Sequence, residues 1–142
     1  MVRVVDGDTV IVRVDGRDVR VRYIGMDTPE SVKPDSPVEA FGREASAANE
    51  ALVAGRDVVL ERDVSDTDRY GRALRDVWIR DGAGWTLVGL RLVRLGYARV
   101  STFPPDVKYA DRLLAAERAA RDEGRGLWGA PRAHRERAVI AS

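Results

Sequence analysis

Five charged residues in three separate segments of this 142-residue chain have the side chains that phosphate chemistry requires. Three are carboxylates and two are arginines: Asp8, Asp27, Glu30, Arg22 and Arg72. Three carboxylates can hold a hard cation and orient water, and two guanidinium groups can grip a phosphate and stabilise the charge that develops on it. If the fold brings the three segments together, these residues form a site able to cleave a phosphodiester bond.

Five short motifs, in order along the chain, resemble those of the staphylococcal nuclease (thermonuclease) family. They are Asp-Gly-Asp-Thr at 6–9, Asp-Thr-Pro-Glu at 27–30, Phe-Gly-Arg-Glu-Ala at 41–45, Asp-Arg-Tyr-Gly-Arg at 68–72 and Gly-Leu-Trp at 126–128. Each motif is weak alone, since Asp and Gly are frequent in turns. Five of them at family-like spacing make a specific resemblance, which runs from the first strand at Val2 to Gly129.

The resemblance implies a calcium site built from three residues. Asp8 and Asp27 would supply carboxylate oxygens and Thr28 a backbone carbonyl, with waters completing the shell of one Ca²⁺. Taken without the resemblance, Asp8 also fits ordinary turn chemistry beside Gly7. The segment 27–30 also fits the exit of a strand, because its proline prevents further pairing.

The resemblance also assigns three catalytic roles. Glu30 would orient or deprotonate the attacking water, while Arg22 and Arg72 would donate bidentate hydrogen bonds to phosphoryl oxygens. These bonds would matter most as the phosphorus becomes five-coordinate, because charge accumulates there. Without the resemblance, Arg22 would be a solvated strand residue and Arg72 part of an ordinary turn.

Three further residues match or replace substrate contacts of the family. Arg69 and Tyr70 match positions that contact a neighbouring phosphate, although both also fit plain surface residues. Tyrosines of the family that help to hold a base are absent here from the stretch 100–105, where Phe103 is the only aromatic residue. Stacking of a base on Phe103 would contribute about 1–3 kcal/mol.

Composition excludes several classes of site. The chain has no cysteine, so disulfides, zinc thiolates and cysteine nucleophiles are excluded, and its one histidine, His134, lies in the polar tail. The formal net charge is +1, so attraction to a polyanion must come from local clustering of charge. No apolar run has the length of a membrane span, and we expect no signal peptide within this sequence. The resemblance favours secretion, while the sequence itself leaves the compartment open.

Periodicity and turn residues predict the elements that carry these residues. The patterns indicate strands at 9–14, 19–24, 58–60 and 73–79 and helices at 41–52, 90–95 and 107–123. Asp15-Gly16 suits the turn of a hairpin between the strands at 9–14 and 19–24. Asp106 is the expected N-cap of the last helix, which would turn Ala110, Leu113, Leu114 and Ala120 to the core. Trp78, Trp85 and Trp128 are expected to pack in the core or at its edge, and Glu117 to form a structural ion pair.

Strands interrupted by a helix and followed by helices indicate the α+β class. The resemblance narrows this to an OB-fold, a five-stranded Greek-key β-barrel with three packed helices, over residues 1–130. Residues 131–142 would form a polar, frayed tail. We expect a monomer.

The resulting hypothesis is a calcium-dependent nuclease. It would hydrolyse DNA and RNA with low sequence specificity, preferentially at single-stranded or unpaired regions, and leave 3′-phosphate ends. The alternative is a non-catalytic OB-fold module that binds single-stranded nucleic acid. A structural or protein-interaction OB-fold domain is a third possibility, which nothing specific in the sequence supports. The presence of all five charged residues favours the nuclease over the non-catalytic binding module.

Overall fold

The computed structural model describes residues 2–29, 37–82 and 84–129 of the chain. The predicted tail at 131–142 and the predicted catalytic residue Glu30 lie outside these residues. The elements, in chain order, are β1 (Val2–Asp6), β2 (Thr9–Val14), β3 (Arg17–Tyr23), β4 (Met26–Asp27), α1 (Pro37–Val53), β5 (Val59–Glu61), β6 (Ala73–Asp81), β7 (Gly84–Leu87), α2 (Val88–Arg94), β8 (Arg99–Val100), α3 (Ala110–Asp122) and a short 3-10 helix (Gly126–Trp128).

The main sheet mixes antiparallel and parallel pairing. Strands β1, β2 and β3 pair antiparallel in sequence, β3 runs parallel to β6, and β6 pairs antiparallel with both β5 and β7. Asp15 and Gly16 both have positive φ, 49° and 79°, as a tight hairpin turn with the right-handed twist of its strands requires. The predicted β2–β3 hairpin is therefore confirmed.

The class α+β is confirmed, with a mixed sheet and three α-helices in the described part of the chain. Closure into a five-stranded barrel is not seen there, because β1 and β5 end the path of paired strands and do not pair with each other. Both end strands are short, and β5 has only three residues. No helix of the described residues is long and apolar enough to cross a membrane.

The core consists of alternating valines of the strands and of one face each of α2 and α3. Val10, Val21 and Val77 are at most 1% exposed, as is Leu92 of α2. Full burial of such a side chain contributes about 1.5–3 kcal/mol. Together with α1 on β1, this packing fixes the strand ends from which the charged residues project.

The last helix differs from its prediction at its start and on one face. It begins at Ala110, and Asp106 does not cap it; the Asp106 carboxylate instead accepts the backbone N–H groups of Val64 and Ser65 at 3.0 and 2.7 Å. Leu114 is 47% exposed, so its predicted burial is wrong. The buried residues of α3 are Leu113, Ala116 and Ala120, which recur at helical spacing and leave Leu114 on the outer side.

The tryptophans divide between packing and exposure. Trp78 and Trp128 are half-buried, as predicted for edge packing. Trp85 is 52% exposed, so its predicted packing role is wrong. It lies opposite Arg80 in the β6–β7 ladder, and the Arg80 guanidinium carbon lies 5.6 Å from the centroid of its ring. The predicted ion pair of Glu117 is confirmed, with Arg121 at 3.2 Å.

Candidate active site

A tight turn between β1 and β2 places Asp8 at the edge of the core. Gly7 is required there, because a Cβ at this position would lie 2.7 Å from Oγ1 of Thr28 and 2.9 Å from Cβ of Ala45. Asp8 is 8% exposed, and its carboxylate accepts the Thr9 hydroxyl at 2.9 Å and the Thr28 backbone N–H at 3.3 Å. The Asp8 carboxylate is therefore both buried and fixed in orientation.

The Arg22 side chain connects the two predicted metal ligands. Its Nη2 lies 3.4 Å from Oδ2 of Asp8 and 3.1 Å from Oδ1 of Asp27. Its Nη1 donates to the backbone carbonyls of Tyr23 and Met26, at 2.8 Å each. These contacts leave the Arg22 side chain 16% exposed and hold its guanidinium group in one position. A solvated arginine at the surface would lack this restraint.

The pair of carboxylates carries more negative charge than Arg22 balances. Burial raises the pKa of Asp27; the positive charge of Arg22 opposes this, while the adjacent Asp8 raises the pKa further. Like charges at such a site favour either a shared proton or a bound cation. The buried Thr28 Oγ1 also has no hydrogen-bond partner among the described residues.

These residues offer only oxygen atoms, which suits a hard cation such as Ca²⁺. Within residues 2–29, 37–82 and 84–129, no three His, Cys, Asp or Glu side chains converge as a metal site. The oxygen atoms that could hold such a cation are the carboxylates of Asp8 and Asp27, with the backbone carbonyl of Thr28 as the predicted third ligand. This set fits a calcium ion that keeps several waters.

Arg72 is fixed by a turn of its own. Its Nε donates to Oδ2 of Asp68 at 2.7 Å, and Oδ1 of Asp68 accepts the backbone N–H groups of Tyr70 and Arg72 at 2.9 Å each. Burial alone would raise the pKa of Asp68, but these hydrogen bonds hold it below its usual value. Arg72 Nη1 also donates to the Thr9 hydroxyl at 3.4 Å. Because Arg22 contacts Asp8, the two arginines contact adjacent residues where the β1–β2 turn enters β2.

A pocket of about 520 Å³ brings the predicted phosphate and base contacts together. Its lining includes Arg22, Arg72, Arg69, Tyr70 and Phe103. The last two are 68% and 72% exposed, so their rings are open to a ligand. The residues predicted to bind metal are not part of this lining; they contact it through Arg22.

Two residues of the site, Asp68 and Asp106, were not predicted as site residues from the sequence. Asp68 orients Arg72, and its place four residues earlier in the same motif was the available signal. Asp106 also lines the pocket, and its bonds to Val64 and Ser65 fasten the loop that carries Phe103. No local signal distinguishes that tertiary role from a helix cap.

Comparison with known proteins gives consistent matches over most of the chain. Residues 20–130 match the family described as staphylococcal nuclease homologue. The chain is 39% identical over 128 residues to the thermonuclease of Staphylococcus hyicus, covering 90% of this chain and 73% of the relative. Identity to the thermonuclease of Staphylococcus intermedius is 40% over 126 residues, covering 89% and 73%. Endonuclease YncB of Bacillus subtilis strain 168 is 38% identical over 128 residues, covering 89% of this chain and 59% of the relative.

Proposed function

This chain belongs to the staphylococcal nuclease family, and on that premise we propose that it is a calcium-dependent nuclease of DNA and RNA. The observation that supports the proposal most directly is the placement of Arg22 and Arg72. Both guanidinium groups line one pocket. That of Arg22 is held by two carboxylates and two backbone carbonyls, and that of Arg72 by the Asp68 carboxylate and the Thr9 hydroxyl. The family also implies that the mixed sheet belongs to an OB-fold barrel.

The proposal assigns the calcium ion to Asp8, Asp27 and the carbonyl of Thr28. When bound there, Ca²⁺ supplies positive charge beside the phosphate and an ordered water. The raised pKa of Asp27 supports this assignment, because the excess negative charge that causes part of it is what a cation would neutralise. Arg22 contacts both carboxylates and keeps them oriented toward the same side.

The reaction is hydrolysis of the bond between phosphorus and the 5′-oxygen. Arg22 and Arg72 hold the phosphoryl oxygens, while Glu30 accepts a proton from a water whose oxygen attacks phosphorus in line with the leaving group. The bond between phosphorus and the 5′-oxygen breaks, and the bonding electron pair leaves with that oxygen. The oxygen then takes a proton from solvent, and a 3′-phosphate remains. The role of Glu30 rests on its place in the 27–30 motif. The arginines stabilise the charge that accumulates on the five-coordinate phosphorus.

Recognition is proposed to use the backbone and unpaired bases. Arg69 and Tyr70 would contact the next phosphate; Arg69 Nη2 donates to the Tyr70 hydroxyl at 2.6 Å and so holds both side chains together. Phe103 would stack on a base, which requires a base free of its partner strand. Contacts of this kind carry little sequence information, so specificity should be low. The enzyme is proposed to act as a monomer.

Dependence on the metal is the first test. Cleavage of single-stranded DNA should be fast with Ca²⁺, weak with Mg²⁺ and absent with EGTA, because Mg²⁺ demands tighter octahedral geometry and releases water reluctantly. Ca²⁺ should also raise the melting temperature of the wild-type protein but not of Asp8→Asn. Asp18→Asn, on the exposed hairpin, is the matched control and should respond like the wild type. Full activity in EGTA, or higher activity with Mg²⁺, would refute the calcium assignment.

Glu30→Gln separates an enzyme from a binding module. The substitution removes a proton acceptor and keeps shape, so affinity for single-stranded DNA in Ca²⁺ should stay within a few-fold while kcat falls roughly 10²–10⁴-fold. Unchanged affinity and rate would mean that Glu30 is a solvated acid, and a lower melting temperature would indicate a structural role. Wild-type protein that binds single-stranded DNA in Ca²⁺ without cutting it would favour the non-catalytic module.

A further inference from the structure

A second groove lies outside the candidate active site, on the outer face of β5, β6 and β7 beside the start of α3. It consists of two adjoining depressions of about 480 and 280 Å³ that share Trp78 and Trp85 in their lining. Val77 and Ile79 of β6 are each 1% exposed and face the core. Because side chains alternate along a strand, Trp78 faces the opposite side.

Aromatic rings form the wall of this groove. The rings of Trp78 and Tyr109 meet edge to face with centroids 5.6 Å apart, and the Trp78 indole N–H donates to Glu61 at 3.0 Å. The Tyr109 hydroxyl donates to the same carboxylate at 2.7 Å. Trp85, on the edge strand β7, is 52% exposed. The groove therefore combines two fixed rings with one open ring on which a flat ligand can stack.

Positive charge surrounds these rings. Arg80, Arg91 and Arg112 are exposed, and none of them forms an ion pair with a carboxylate within the described parts of the chain. Arg91 and Arg112 line the groove directly. The acid of the groove, Glu61, is balanced by Lys108, whose Nζ lies 2.5 Å from it. Exposed aromatic surface is thus flanked by guanidinium groups that have no carboxylate partner among the described residues. Such a surface complements single-stranded nucleic acid, whose bases stack and whose phosphates are anionic.

The groove is also close to the candidate active site along the chain. One segment carries Phe103, which lines the active-site pocket, and six residues later Tyr109, which lines the groove. Six residues span at most about 22 Å when fully extended. A long single strand held at Arg22 and Arg72 can therefore continue past Phe103 toward Tyr109 and Trp85, which line the same depression.

We propose that this groove is a second binding site for single-stranded nucleic acid. A base stacks on Trp85, and Arg80, Arg91 and Arg112 contact the flanking phosphates. The site extends the proposed nuclease function by retaining long substrates. Its binding needs neither calcium nor the catalytic residues.

Binding of fluorescein-labelled poly(dT) in EGTA tests the site without cleavage. Trp85→Ala and Arg112→Ala should each raise Kd about fivefold or more, as expected for loss of one stacked base or one phosphate contact. Trp85→Phe should restore most of the affinity. Arg118→Ala, an exposed arginine on another side of α3, is the matched control and should bind like the wild type. Equal Kd values for all four proteins and the wild type would overturn the proposal.

Kinetics in Ca²⁺ separate this site from the active site. In Trp85→Ala, KM for long poly(dT) should rise about fivefold or more, while kcat/KM for a dinucleotide should stay unchanged. An equal loss on both substrates would overturn the proposal. If the wild type cuts neither substrate, the proposed nuclease function fails, while the binding experiment in EGTA still decides whether the groove binds nucleic acid.

Sedimentation tests a different occupant of the groove. A wild-type dimer that becomes monomeric in Trp85→Ala, with poly(dT) binding unchanged, would assign the groove to a second copy of the chain and would also overturn the proposal.

Discussion

Within the described residues, carboxylates gather at the edge of the candidate active site and also between β5, β6 and the start of α3. At the first, Arg22 lies within 3.4 Å of both Asp8 and Asp27, and the Asp27 side chain is 61% exposed. At the second, Asp76 faces Glu61 in the strand register and is 4% exposed. Lys108, the cation there, pairs with Glu61, and Oδ2 of Asp76 has no hydrogen-bond partner among the described residues.

The difference shows how access to solvent decides what neutralises a group of acids. Burial raises the pKa of Asp76 to about 7, with further contributions from the negative charges of Glu61, Asp63 and Asp106 against the opposing charge of Lys108. A proton is the smallest cation that can neutralise a carboxylate buried in this way. At the active site, one carboxylate remains open to solvent, so a metal ion can reach the pair.

The largest effect is expected from replacing the arginines of the active site. Arg22→Lys and Arg72→Lys keep the charge but lose the planar fork, so each should lower kcat about 10²–10³-fold, the usual cost of one lost transition-state donor. Circular dichroism should show that both variants keep the fold. Steady-state kinetics on single-stranded DNA with Ca²⁺ provide the measurement.

Arg13→Lys is the matched control for these two variants. Arg13 lies on the same hairpin as Arg22, with its side chain 62% exposed and its one ion pair, to Asp18, at the surface. Its replacement should leave kcat unchanged. Near-wild-type rates in both active-site variants would show that the phosphate binds elsewhere in the fold.

Local chemistry is what the sequence predicts well. The β2–β3 hairpin follows from Asp15-Gly16 between β-branched runs, and both residues take the positive φ that such a turn needs. The candidate site residues Arg69, Tyr70 and Arg72 could be predicted because their motif is contiguous in sequence. Helix α3 was predicted to within a few residues, since its buried side chains recur at helical spacing.

Partners that are distant in sequence explain what sequence analysis missed. Asp106 has the form of an N-cap, yet its carboxylate binds the backbone of Val64 and Ser65, about forty residues away. The burial of Asp76 depends on elements packed from two other parts of the chain. The exposure of Trp85 depends on β7 lying at an edge of the sheet, where nothing in the described residues covers it. None of these outcomes has a local signature.

Removal of the negative charge of the buried Asp76 should stabilise the protein in a pH-dependent way. The pKa of Asp76 in the folded state, about 7, lies above its ordinary value of 3.8, so the folded state holds the proton more tightly than the unfolded chain. The stability this proton contributes is complete below about pH 4 and is lost as pH rises through about 7. Asp76→Asn cannot ionise. Relative to the wild type, it should therefore gain about 4 kcal/mol in free energy of unfolding between about pH 4 and about pH 8.

Urea unfolding across this pH range measures the effect. Asp81→Asn, at the exposed end of the same strand, is the control and should change the pH profile little. A constant difference between Asp76→Asn and the wild type at every pH would contradict the assigned protonation of Asp76, since a purely steric effect does not depend on pH.

The smallest effect is expected from Asp68, which acts through Arg72 rather than on the substrate. In Asp68→Asn, the Asn carbonyl oxygen can still accept the backbone N–H groups, but its amide faces Nε of Arg72 and cannot accept from it. The guanidinium then loses one charge-assisted bond, and kcat should fall about tenfold with little change in KM. Asp68→Glu should recover part of the rate, because it restores an acceptor.

A double-mutant cycle shows whether Asp68 works only by positioning Arg72. If it does, Asp68→Asn should cost almost nothing in the Arg72→Lys background, because the fork that it orients is already gone. If Asp68 has a role of its own, the two losses in kcat should multiply. Asp68 would then contribute its charge directly to the site, as proposed for Asp8 and Asp27, in addition to orienting Arg72.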